Sequence, residues 1–132
     1  MKVPGKRILF VDDEPGIRET LSIILRRYGF TVTVAATVAQ ALEEIKTHEF
    51  DLLLCDLNIE GKRDGYTVVR GMRQVDPECI AIILTGYPDE ESEAEGANLG
   101  IDDYIAKPAN ADALVAILAE RLTNPKERED RE

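Results

Sequence analysis

Asp51–Leu52–Leu53–Leu54–Cys55–Asp56 is the most apolar run in the chain, and it ends in a carboxylate. Apolar residues in unbroken succession fit a strand buried on both faces, the pattern of a parallel sheet covered by helices. Arg7–Ile8–Leu9–Phe10–Val11 repeats the pattern and ends in Asp12–Asp13; Cys79–Ile80–Ala81–Ile82–Ile83–Leu84 repeats it and ends in Thr85–Gly86. Two weaker strands complete the set. Phe30–Thr31–Val32–Thr33–Val34 is rich in β-branched residues, and Asp103–Tyr104–Ile105–Ala106 leads into Lys107–Pro108. Helical spacing separates these runs. Pro15 suits a first turn before Ile17, Leu21, Ile24, Leu25 and Tyr28, with Gly29 as the stop. Thr37 is placed to cap a helix carrying Val38, Ala41, Leu42 and Ile45. Tyr66 to Val75 reads as a third helix, Asp89 to Leu99 as an acidic fourth, and a fifth begins at Asn110 or Ala111. Five strands alternating with five helices predict an α/β fold, a parallel sheet with helices on both faces.

The composition narrows the function. The 132 residues make one domain, and 44% hydrophobic residues suffice for a core. With Trp absent and aromatics at 5%, that core is mainly aliphatic. Sixteen Lys and Arg against 26 Asp and Glu leave a net charge of -10, which argues against direct nucleic acid binding by this domain and against adsorption to an anionic membrane. No apolar run approaches membrane-spanning length, and Met1 to Arg7 lacks a signal-peptide pattern, so a soluble, cytoplasmic domain is expected. Cys55 and Cys79 make neither a disulfide framework nor a metal site. Residues 1–123 read as the domain, and residues 124–132, nearly all charge and Pro, as a tail or the start of a linker.

Ligands of open α/β sheets bind beyond the carboxyl ends of the strands. There the strand ends place Asp12–Asp13, Asp56, Thr85 and Lys107. Three carboxylates gathered at one edge repel; two unit charges 4 Å apart cost about 4 kcal/mol at an effective dielectric near 20. A divalent cation with oxygen ligands, Mg²⁺ or Mn²⁺, would offset that. Carboxylates, a hard metal, a hydroxyl and an ammonium together suit phosphoryl transfer, with Asp56 as a nucleophile able to form an aspartyl-phosphate.

At this point the chain resembles the receiver domains of two-component response regulators, the CheY-like family. The resemblance runs from residue 6 to residue 122. It rests on Ile8–Leu9–Phe10–Val11–Asp12–Asp13–Glu14–Pro15, Asp51–Leu52–Leu53–Leu54–Cys55–Asp56–Leu57, Asp64–Gly65, Thr85–Gly86 and Asp103–Tyr104–Ile105–Ala106–Lys107–Pro108. It implies a doubly wound, flavodoxin-like five-stranded parallel sheet in the order 2-1-3-4-5. It also implies that Asp56 accepts a phosphoryl group from a sensor histidine kinase or phosphotransfer protein. By the same resemblance Asp13 and Asp56 ligate Mg²⁺, Asp12 ligates through water or tunes the site, and the backbone carbonyl of Asn58 completes it. Thr85 and Lys107 bind the phosphoryl oxygens, Thr85 and Tyr104 switch conformation, and an unidentified output domain or protein is regulated. The site catalyses only its own phosphorylation and slow self-hydrolysis, so the chain is not an enzyme in the ordinary sense. Asn58 and Tyr87 hold positions that influence hydrolysis in the family, and a cis peptide is expected before Pro108.

The chain departs from the family in places. Ile59–Glu60–Gly61–Lys62–Arg63 follows the Asp-Leu-x triplet where many receivers have a Met-Pro-Gly-type turn, and Asp56 to Asp64 spans eight positions instead of seven. That leaves the loop's conformation open. Ala109 stands where many receivers have Phe. The acidic helix lacks the basic residues that pair across a common dimer face, so dimerisation there is not expected.

Plainer readings exist for each residue. Asp12–Asp13 could cap the first helix, Thr85–Gly86 could be an ordinary strand end, Lys107–Pro108 a turn, and Tyr104 simple packing. His48, the one histidine, reads as surface and Cys55 as core. The acidic helix reads as a solvated face. A degenerate receiver acting as an interaction module is the alternative function. A haloacid-dehalogenase-type phosphohydrolase is disfavoured: its Asp-x-Asp after the first strand is missing.

Overall fold

The computed structural model describes residues 5–61, 63–86, 90–107 and 110–123. The strands are β1 (Arg7–Val11), β2 (Thr31–Ala35), β3 (Leu52–Asp56), β4 (Ile80–Thr85) and β5 (Asp103–Ala106). The helices are α1 (Pro15–Arg27), α2 (Val38–Thr47), α3 (Gly65–Val75), α4 (Glu90–Glu95) and α5 (Ala111–Thr123). All pairings are parallel, in the order β2-β1-β3-β4-β5. The order explains the hydrophobic pattern. β3 and β4 are interior and buried at every position, whereas edge strands β2 and β5 carry exposed and half-buried residues.

Side chains alternate across the sheet and divide the core in two. Leu9, Val11, Leu53, Cys55, Ala81 and Ile83 pack with α2 and α3 residues such as Ala41, Ile45, Val68 and Met72. Ile8, Phe10, Leu52, Leu54, Ile82 and Leu84 pack on the other face with Leu25, Leu114 and Leu118 of α1 and α5. A wholly buried aliphatic side chain such as Leu54 contributes about 1.5–3 kcal/mol relative to exposure. Both faces must therefore be covered, and the crossover helices cover them.

Local signals place the helix starts. Pro15 occupies the first turn of α1. Thr37 caps α2, its hydroxyl accepting from Gln40 N–H at 3.0 Å, while the Gln40 amide oxygen accepts from Ala36 N–H at 2.8 Å. Asn110 accepts from Ala113 N–H at 3.0 Å before α5, with Ala111 the first helical residue.

The acidic segment departs from expectation. Instead of one helix to Leu99, α4 stops at Glu95 and a single 3₁₀ turn spans Ala97–Leu99. The break falls at Gly96, which is packed against two tyrosines described below. The β2 strand begins at Thr31 instead of Phe30, whose N–H is still bonded to the Leu25 carbonyl of α1 at 3.3 Å, and it runs on to Ala35. Tyr87, the Pro108 peptide bond, Lys62 and the 124–132 tail lie outside the described residues. Among the described residues no helix is long and apolar enough to cross a membrane.

Candidate functional site

The carboxyl ends of β1, β3, β4 and β5 meet at one edge, as the strand order requires. Asp12 follows β1 and is fully buried, Asp56 ends β3 at 6% exposure, and Asp13 is exposed. Carboxylate oxygens from Asp12, Asp13 and Asp56 all lie within 4.8 Å of one another. Lys107, directly after β5, places Nζ 3.0 Å from Asp12 Oδ2 and 3.3 Å from Asp56 Oδ2. Thr85 is buried at the end of β4, and its carbonyl accepts from Lys107 N–H at 2.8 Å. Asp12 also accepts from Glu14 N–H at 2.9 Å, so a helix-entry role and membership of the cluster coexist.

The electrostatics show a crowd that one lysine does not neutralise. Burial pushes the Asp56 carboxyl up to about 6; Lys107 pulls it down, and Asp12 adds to the rise. For Lys107, burial favours the neutral amine, but its bond to Asp12 and the charges of Asp56 and Asp12 outweigh it, and its pKa lies above the usual value. An all-oxygen donor set with surplus negative charge fits a hard divalent cation. Asn58 lines the same cleft as Asp56 and Lys107.

The segment after Asp56 is one residue longer than in many receivers, yet it is closely organised. The Asp64 carboxylate accepts from Ile59, Glu60 and Gly61 N–H at 2.8, 3.1 and 3.0 Å. The Asn58 side-chain oxygen accepts from Arg63 N–H at 2.6 Å, and Arg63 takes a positive φ of 63°. Ile59 is buried in the core, and Glu60 accepts from Val38 N–H at 2.7 Å, tying the loop to α2.

Gly65 closes the loop against the strand. A Cβ there would overlap the Asp56 carbonyl oxygen and lie 2.9 Å from Leu57 Cα. Those atoms are backbone and cannot rotate away. Gly65→Ala is expected to destabilise the chain by about 1–3 kcal/mol, read from the urea midpoint.

Tyr104 packs half-buried against the α2/α3-side core, its hydroxyl 3.0 Å from that of Tyr66. Tyr66 is wholly buried and was not singled out by the sequence, where it reads as the first apolar residue of a helix. Arg63 was missed as well; it reaches Glu95 at 3.2 Å and Glu91 at 3.8 Å, so the acidic helix is not merely solvated. Neither link has a sequence signature, since the partners lie about thirty positions apart. His48 is on the surface, and Cys55 is buried with its thiol pushed well above the usual range by burial and by Asp56.

A doubly wound sheet with an aspartate cluster and a lysine at its carboxyl edge defines a receiver-type signalling domain. The chain belongs to the response regulator receiver domain family, whose pattern matches residues 8–119. It is similar to the transcriptional regulatory protein ZraR of Escherichia coli (strain K12), 33% identical over 117 residues covering 89% of this chain and 26% of ZraR. The chain therefore spans about a quarter of that relative's length. Among solved structures, it is similar to a CheY-like receiver domain protein from Methanospirillum hungatei JF-1, with TM-score 0.86, 32% identity, and coverage of 92% of this chain and 97% of that one. It is also similar to a Burkholderia pseudomallei response regulator described with a phosphorylated aspartic acid, calcium ion and citrate: TM-score 0.79, 27% identity, 94% of this chain and 72% of that one.

Proposed function

We propose that the chain is a phosphoacceptor: Asp56 takes a phosphoryl group from a phosphohistidine of a sensor histidine kinase or phosphotransfer protein. The observation that carries this is the convergence of Asp12, Asp13 and Asp56 within 4.8 Å beside Lys107 Nζ. An Asp56 carboxylate oxygen attacks phosphorus, the P–N bond breaks, and the imidazole nitrogen keeps the electron pair. Lys107 already sits on Asp56 and offers its ammonium to the incoming phosphoryl oxygens, with the Thr85 hydroxyl as a second donor. Asp12, Asp13, Asp56 and the Asn58 carbonyl would hold Mg²⁺ or Mn²⁺. When bound, such an ion offsets the carboxylate charge and stabilises negative charge on the transferring group. A donor reaching Asp56 crosses a cleft of about 620 Å³ walled by Ile17, Leu21 and Ile24 of α1, an apolar approach for a partner helix.

Thr85 and Tyr104 act as the switch, and an output domain or protein reads it. The relative's name as a transcriptional regulator, and its much greater length, support an output carried elsewhere than in this acidic domain. On this reading residues 1–123 are the receiver and residues 124–132 a charged tail or the start of a linker. Beyond taking up and slowly losing its own phosphoryl group the chain catalyses nothing, and a cytoplasmic location follows from a kinase partner of this kind.

The test is intact mass after incubation with acetyl phosphate. Wild type with Mg²⁺ is expected to gain one phosphoryl group, and EDTA or Asp56→Asn to abolish the gain. Absence of any adduct, from acetyl phosphate and from a phosphohistidine donor alike, would favour a phosphorylation-independent interaction module.

A further inference from the structure

Tyr66 lies outside the acidic site, on the first turn of α3, and its side chain is wholly buried. Its hydroxyl donates to the Ser92 carbonyl of α4 at 2.7 Å. That assignment is forced, because a carbonyl can only accept. Its proton being spent there, the Tyr66 oxygen accepts from the Tyr104 hydroxyl at 3.0 Å. The result is a directed chain: Tyr104 O–H to Tyr66 O–H to Ser92 C=O. Each bond in such a chain polarises the next.

Gly96 makes room for it. A Cβ at Gly96 would lie 2.6 Å from the Tyr104 hydroxyl oxygen and 2.6 Å from Tyr66 Cε1. The break between α4 and the following 3₁₀ turn therefore coincides with the seat of the two rings. A second tie runs from the same loop to α4, from Arg63 to Glu95 and Glu91. Both glutamates are substantially exposed, so that tie is the weaker one. Tyr66 follows Asp64–Gly65 directly, the pair that closes the loop leading from Asp56.

We propose that Tyr66 is a positioning residue for Tyr104: its hydroxyl holds the Tyr104 side chain inward and couples that orientation to the placement of α4. This rests on the switch role proposed above for Tyr104. The inward seat is occupied here, and the Tyr66 hydroxyl biases the Tyr104 equilibrium toward it. Removing one hydrogen bond of ordinary strength shifts such an equilibrium about five-fold.

The experiment uses the full, unphosphorylated chain labelled with 3-fluorotyrosine. Its four tyrosines are assigned one by one through Tyr→Phe variants. In Tyr66→Phe, which keeps the ring, the Tyr104 fluorine resonance is expected to move toward that of a solvent-exposed tyrosine. Amide hydrogen exchange in α4 should quicken about five-fold. Gly96→Ala should move the same resonance the same way without removing a hydroxyl. A Tyr66→Phe chain whose Tyr104 resonance and α4 exchange match wild type would overturn the proposal, even with a lowered urea midpoint, which any structural hydroxyl would produce. Phosphoryl uptake, measured separately by mass, keeps the two ideas apart. Uptake with an unmoved Tyr104 sinks the positioning role alone; a moved Tyr104 without uptake leaves that role standing and sinks the phosphoacceptor reading.

Discussion

Asp56→Asn is expected to stabilise the metal-free chain at neutral pH while abolishing phosphoryl uptake. The folded state holds the Asp56 carboxyl near 6, against 3.8 for the free group, because burial and Asp12 outweigh Lys107. The native state therefore binds the proton more tightly than the unfolded state does. Between those two values the native state holds more protons, so stability falls as pH rises through that window. Below about pH 4 both states are protonated and no penalty remains. Above about pH 6 the full cost of an ionised, crowded Asp56 is present. Asn removes that charge, and the expected gain at pH 7–8 is about 1–3 kcal/mol. Urea unfolding in EDTA at pH 4, 6 and 8 checks it. The gain should grow with pH, and Mg²⁺ should stabilise wild type far more than the variant. A variant less stable than wild type at pH 8 would mean that Asp56 is satisfied in place and not held against repulsion.

Lys107→Ala is expected to act in the opposite direction on stability and just as severely on function. Lys107 is bonded to a fully buried Asp12 and to Asp56. Its pKa is raised by folding, so its contribution is fully present below the unfolded lysine value and is lost only as pH climbs through the folded one. At pH 7 it is all there. Without it two buried carboxylates lie together with no paired cation among the described residues, and a loss of about 1–3 kcal/mol is expected. That is less than for an isolated buried pair, since Asp56 can take up a proton. The loss should therefore shrink toward pH 5, and added Mg²⁺ should recover much of it. Uptake from acetyl phosphate should slow by about 10²–10³, the cost of removing one preorganised donor to a developing charge. Mass spectrometry over a time course measures the second effect and urea midpoints the first. A variant that takes up the phosphoryl group at the wild-type rate would show that Lys107 only neutralises Asp12.

The two predictions share a cause. The site is assembled from groups that repel, and the fold tolerates them because β1, β3 and β4 are anchored by fully buried aliphatic faces. On the phosphoacceptor reading proposed above, stability is given up at the strand ends so that charge is ready for an incoming phosphoryl group.

Much of this was readable from the chain alone. Strands β1, β3 and β4 announce themselves because residues covered on both faces must be apolar at every position, a local signal independent of neighbours. The polar groups at their ends follow from the same runs, since a carboxylate cannot continue into an apolar sheet. Thr37 and Pro15 mark helix starts because capping acts within one turn. Tertiary structure alone decided how those ends converge: the 4.8 Å grouping of three carboxylates, the reach of Lys107 across 95 positions to Asp12, and the rise of the Asp56 carboxyl. It also decided how the longer loop closes on Asp64, and where α4 stops. The Tyr104–Tyr66–Ser92 chain was invisible for the same reason. A buried tyrosine obeys the periodicity of any apolar helix position, and the partner of its hydroxyl is set by packing between elements, which leaves no period in the sequence to read.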